Sequence, residues 1–214
     1  MGFFGGSWIP LVFGYLPGKE TKDYETFFSL VLQLVSDTQG KEAKLMCKKL
    51  LCDFEKAIYQ AAKNVFNIKN GLQVKVKGCF FHFSSALWKR VQKAGMVRQY
   101  ADYKDVRKLV RSCVGLAHCP PGRIQEAYNY IDNKYNFYDH QIKKFKNKFL
   151  EYVNMYLIHN DDFPISMWNC WKRSHHLTNN GHEGYNSRLK REVKTVHPNP
   201  NKLLMHIKKE LMIT

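Results

Sequence analysis

Lys48-Lys49-Leu50-Leu51-Cys52-Asp53-Phe54-Glu55 sets a short apolar run directly before a carboxylate and the start of a helical pattern. Lys48–Cys52 reads as a short strand. Phe54, Ala57, Ile58, Ala61, Ala62, Val65 and Phe66 then recur at three- and four-residue steps, one face of a helix. Downstream, Gln73-Val74-Lys75-Val76-Lys77 alternates as a strand near a sheet edge does, with its lysines outward. Upstream, Tyr24, Phe27, Phe28, Val31, Leu34 and Val35 have the spacing of an amphipathic helix. Before them, Trp8-Ile9-Pro10-Leu11-Val12-Phe13-Gly14-Tyr15-Leu16, stopped by Pro17-Gly18, reads as a buried strand. From Phe81 to about Trp171 the spacing is helical and no strand stands out. Ala86, Leu87 and Val91 mark one helix, ended by Gly95. Val106, Leu109, Val110 and Val114 mark a second, stopped by Pro120-Pro121-Gly122, Ile124–Ile131 a third and Ile142–Tyr156 a fourth. A closing helix starts near Asn180 and fades before His197-Pro198. Strands alternating with helices argue for an α/β core, and the long helical stretch before the closing helix argues for an insertion into it.

The 214 residues, 44% hydrophobic, suffice for a buried core. Six cysteines (Cys47, Cys52, Cys79, Cys113, Cys119, Cys170) lack the density of a small secreted scaffold, so free thiols in a reducing compartment are expected. No basic segment followed by an apolar core marks a signal peptide. The apolar run at Trp8–Leu16 is too short to span a bilayer, so no membrane partner is expected. The net charge is +16. Its distribution is uneven: nine Lys/Arg against seven Asp/Glu in residues 1–70, sixteen against five in 71–150, nine against six in 151–214. The excess sits in the middle third, the mark of a polyanion-facing surface.

Three basic groups make up that excess. Lys89, Arg90, Lys93 and Arg98 lie on one helix and the turn after it. Lys104, Arg107, Lys108 and Arg111 form a second group at helical spacing, and Lys143, Lys144, Lys146 and Lys148 a third. Aromatics interleave at Trp88, Tyr100, Tyr103, Phe145 and Phe149; most are expected to pack the helical block, and some could stack on unpaired bases. Asp53 by itself reads as the cap of the helix that follows, yet carboxylates at that edge of an open α/β sheet also project into the ligand crevice. Asn180-x-x-Glu183 has the form of a capping box, and Glu55 that of a first-turn acid. Cys79-x-x-His82 is half of a zinc site; Cys113, His118, Cys119, His175 and His176 have no convincing paired spacing, so zinc is not expected.

Leu50-Leu51-Cys52-Asp53-Phe54-Glu55, Gly78-Cys79-Phe80-Phe81-His82-Phe83 and Thr178-Asn179-Asn180-Gly181-His182-Glu183-Gly184-Tyr185-Asn186, in that order, resemble the transposase domain of Mutator-like elements. The resemblance runs from about Trp8 to about Lys208. It implies a ribonuclease-H-like α/β core, incomplete at its N-terminus, with an all-α insertion before the last core helix: residues 1–83 and 173–214 core, 84–172 insertion. It implies metal-dependent DNA cleavage and strand transfer. Asp53 and Glu183 would be catalytic and hold Mg²⁺ or Mn²⁺, with His82 beside them touching a phosphate or orienting a catalytic group. Gly184 next to the acid would let a phosphate or ion come close. DNA would be the partner, the nucleus the location, and a homo-oligomer is left open. Trp168 and Trp171 resemble the segment before the family's third acid and are expected in the core. The family's first catalytic aspartate is expected on a strand upstream of Gly5, and the first aspartate of this chain is Asp23, at a helix start. With that ligand and its strands absent, the chain is expected to bind DNA without cutting it, and the Trp8–Leu16 strand to be displaced, paired elsewhere or aggregation-prone. A domesticated DNA-binding regulator and a decayed transposon remnant are the alternatives.

Overall fold

A computed structural model describes residues 2–4, 7–39, 47–173, 180–193 and 199–211, with the side chains of 2–9, 39, 180, 182, 183, 210 and 211 left aside. The chain begins with β1 (Gly2–Phe4) paired antiparallel to β2 (Ser7–Ile9). The strand expected over Trp8–Leu16 therefore ends at Ile9, where Pro10 removes a ladder donor. Leu11, Val12 and Tyr15 beyond it are exposed, not buried. Helix α1 (Thr21–Gln39) follows, then β3 (Lys49–Cys52). Helix α2 (Lys56–Ala62) widens into a π-helical stretch over Lys63–Lys69 before β4 (Lys75–Gly78).

β3 and β4 pair in parallel, Lys49 opposite Lys75 and Cys52 opposite Gly78. Paired residues share a face, so Leu50 and Val76 point one way and Lys49, Lys75 and Lys77 the other. The apolar face packs with Phe28, Ala61, Ala62, Val65, Phe66 and Val74, a small core under α1 and α2. Asn67 clips the turn before β4: its Nδ2 donates to the Val74 carbonyl at 3.0 Å and its Oδ1 accepts from the Val74 amide at 2.6 Å.

Helix α3 (Phe80–Lys93) leaves β4 after one residue, with Gly95 at φ +68° past its end. Next come α4 (Val97–Asp102), α5 (Lys104–Gly115), α6 (Ile124–Lys134) and α7 (His140–Val153), the last running into a π-helical turn over Asn154–Ile158. Asp139 caps α7, its Oδ1 accepting from the Ile142 amide at 2.9 Å. These helices share a larger core: Phe83, Leu87 and Val91 of α3, Val106, Leu109, Val110 and Cys113 of α5, and Phe145, Phe149 and Val153 of α7. Short helix α8 (Ile165–Trp168) closes it. Trp168 stacks on Phe83 at 5.0 Å and donates Nε1–H to the Leu157 carbonyl at 3.0 Å. Trp171, expected in the core, is 44% exposed.

Helices α9 (Asn180–Val193) and α10 (Pro200–Leu211) complete the chain, which divides into two compact units: residues 14–178, and residues 1–13 with 179–214. In the second, Phe13 meets Tyr185 at 5.9 Å and Glu192 of α9 holds His206 of α10 at 2.7 Å. The described chain is mostly helical with a small parallel strand pair, consistent with an α/β class.

Candidate active site and nucleic-acid interface

The parallel register brings the carboxyl ends of β3 and β4 level. Cys52 lies opposite Gly78, and the Cys79 amide donates to the Cys52 carbonyl at 2.9 Å. Asp53 and Cys79 are thus the first residues beyond the sheet on adjacent strands, at the edge where open α/β sheets bind ligands. Helix α3 starts at once, placing His82 on its first turn. His82 Nδ1 lies 3.1 Å from Asp53 Oδ1, both side chains partly exposed. The sequence named these two residues from separate motifs, and the fold brings them into contact.

The floor beneath them is tight. Phe54 fills the space over Gly78, where an added Cβ would lie 2.5 Å from its ring, and meets Phe163 edge-on at 5.5 Å. Cys79 is fully buried, and Cys52 is buried beside it. Burial first, then the nearby Asp53 and Glu55 carboxylates, push the Cys52 thiol up to about 12, so it is neutral at physiological pH.

Asp53 does not cap α2. That position belongs to Glu55, in extended conformation and with no side-chain cap bond, which corrects the first-turn placement expected for it. Its Oε1 instead accepts from Tyr24 Oη at 2.9 Å, tying α1 to the turn that carries Asp53. Burial and then Glu55 push the Tyr24 phenol up to about 12.

Glu183 lies on the first turn of α9, as its motif predicts, but its side chain falls outside the described ones. So does the separation between Asp53 and Glu183, along with His175 and His176. Gly184 is exposed, with nothing described within 4 Å of an added Cβ. Among the described residues no three His, Cys, Asp or Glu side chains come together as a group that could hold an ion.

The basic groups sort by environment. Lys89, Arg90 and Lys93 of α3, Lys104 and Arg111 of α5, and Lys143, Lys144 and Lys148 of α7 are exposed. Lys108 and Arg98 are exposed with acidic neighbours, Asp105 at 3.7 Å and Asp102 at 3.4 Å. Arg107 serves the fold: its Nη1 donates to the carbonyls of Tyr100 (3.1 Å) and Ala101 (2.6 Å) at the end of α4. Lys146 leaves the expected interface altogether. It is 7% exposed, its ammonium 2.8 Å from Asp132 Oδ1 and donating to the Asp132 carbonyl at 2.6 Å. The cause is helical phase: Lys146 follows Phe145 and precedes Phe149 and Leu150 on the inner face of α7, the polar exception there. Of the aromatics, Phe145 and Phe149 are buried, Trp88 packs edge-on against Tyr100 at 5.0 Å, and Tyr103 is exposed.

Sequence reasoning missed the cationic environment of Lys77. It donates to the Ser166 carbonyl, and burial, then neighbouring Arg173 and Lys75, hold its ammonium below the usual lysine range. The alternation Lys75-Val76-Lys77 carried that signal. No protein-family model, curated protein or solved structure matches the chain.

Proposed function

We propose that the chain is a DNA-binding protein of transposase descent, the ancestral activity of its kind being metal-dependent cleavage and strand transfer of DNA. More particularly, it is a ribonuclease-H-like transposase domain of the Mutator-like kind, with the nucleus as its place of work. The observation that supports this reading best is the 3.1 Å approach of His82 to Asp53 at the carboxyl end of a parallel strand pair. The order of the three motifs and the position of Glu183 on the opening turn of α9 agree with it. Mg²⁺ or Mn²⁺, held by Asp53 and Glu183, would polarise a phosphoryl oxygen and the attacking nucleophile. His82, 3.1 Å from Asp53, would orient that carboxylate or touch a phosphate. The exposed cations of α3, α5 and α7 hold the DNA backbone, which carries the affinity and makes it salt-dependent.

Mn²⁺ titration followed by paramagnetic broadening of the His82 ring tests the site. Broadening in the unaltered chain, lost when Asp53→Asn is combined with Glu183→Gln, is the expected result. Equal broadening in the double variant would overturn the shared site. A nuclease and strand-transfer assay with Mn²⁺, run on the same pair of proteins, reports whether bound metal is put to chemical use.

A further inference from the structure

Arg90 on the last turn of α3 and Tyr152 near the end of α7 come from distant parts of the chain, yet their planar groups meet. The Arg90 Cζ lies 3.9 Å from the Tyr152 ring centroid and 5.9 Å from that of Tyr156. The two tyrosine rings are 5.3 Å apart and within 25° of parallel. Tyr156 rides on the π-helical turn that continues α7. The result is a compact, only partly buried cluster in which one guanidinium lies beside two nearly parallel phenol rings. Arg90 is exposed, Tyr152 is half-buried, and Tyr156 and its neighbour Met155 are 59% and 57% exposed.

The Tyr156 ring is only loosely engaged by the fold, in contrast to the buried Phe145 and Phe149 of the same helix. The surroundings are cationic. Lys89 and Lys93 flank Arg90 on α3, and Lys148 lies one turn before Tyr152 on α7; Glu151 is the acid beside them. Aromatic and guanidinium planes are the surfaces on which unpaired bases stack, and lysines around them neutralise the phosphates on either side of the base. A cationic partner is disfavoured by the net +11 of residues 71–150, the sixteen Lys/Arg against five Asp/Glu counted there.

We infer that Arg90, Tyr152 and Tyr156 form a stacking platform for an unpaired nucleobase of single-stranded nucleic acid. The inference rests on the nucleic-acid reading above and adds to it a subsite that contacts bases rather than phosphates.

Fluorescence anisotropy of the full chain, with a labelled oligothymidylate and the same strand carrying abasic residues, tests it. The unaltered chain should favour the base-bearing strand by about tenfold, within the range of one stacked base. Tyr156→Ala should erase that preference and leave the dependence of affinity on salt unchanged. Tyr156→Phe, which keeps the ring, should retain it. Equal binding of both strands by the unaltered chain, or a preference that survives Tyr156→Ala, overturns the platform alone. No binding of either strand at low salt overturns the nucleic-acid reading and the platform with it.

Discussion

Two cores of unequal depth stand side by side within residues 14–178. The helical core draws on α3, α5, α6, α7 and α8 and buries Phe83, Leu87, Leu109, Ile124, Val153 and Trp168 almost completely. The core under the strand pair is thinner, built on Phe28, Phe66, Val65, Val74 and two alanines. The candidate chemistry is not divided the same way. Asp53 follows β3, whose Leu50 packs on the thin core while Phe54 after it reaches the deep one. His82 is carried by α3, whose next turns are anchored in the deep core. The helical block therefore does more than present cations: it fixes one of the two groups in contact at the sheet edge.

The sharpest way to break this comparison is through α3. Leu87→Ala should cost ~2–5 kcal/mol in denaturant unfolding, the range for a fully buried leucine whose cavity only partly collapses. It should also shift the His82 ring resonances. An unchanged His82 would mean that the first turn of α3 is held by the sheet and not by the helical core.

A smaller effect is expected at the junction. Gly78→Ala should cost ~1–3 kcal/mol, because the Phe54 ring must move to admit the methyl group. If stability is unchanged, the floor of the site is looser than its geometry indicates.

Within α7 the contrast lies between neighbours. Replacing Lys143, Lys144 and Lys148 by glutamate should flatten the slope of log affinity against log salt by about 0.9 for each phosphate that is no longer neutralised. Lys146→Met should leave that slope unchanged, since the ammonium is already committed to Asp132. An equal flattening from Lys146→Met would return that residue to the interface.

The smallest effect concerns pH. The Tyr24 phenol titrates higher in the folded chain than in the unfolded one, near 12 against 10. Its contribution to stability is therefore complete below pH 10 and lost as pH rises through 12. Tyr24→Phe should make unfolding less steeply pH-dependent across that window and remove a high-titrating component of tyrosinate absorbance. The same slope in both proteins would refute the raised titration of Tyr24.

Legibility in the sequence followed the strength of each local pattern. α1 and the helices of the block were readable because their apolar residues repeat at the period of the helix, and β3 because a short apolar run stands before Asp53. Trp8–Leu16 misled because composition favours a strand while Pro10 interrupts one, and the residues after it are exposed. Helix α10 was not anticipated, although Leu203, Leu204 and Ile207 lie at helical steps after Pro200 at its first position. At the site, Asp53 and His82 were both named, but their contact was not, because it depends on parallel register rather than on spacing along the chain. Lys146 shows the opposite limit. Its neighbours in sequence are exposed lysines, and only the phase of α7 turns it inward.

The level carboxyl ends of β3 and β4 carry one further consequence, for insertions and deletions. Removing a single residue from Lys49–Asp53 or Lys75–Cys79 would slide one strand by ~3.3 Å against the other and turn its side chains to the opposite face. Asp53 and His82 would then separate even though every residue at the site kept its identity. The edge can absorb changes of side chain more readily than a change of length, so the spacing inside these two segments is itself part of the site.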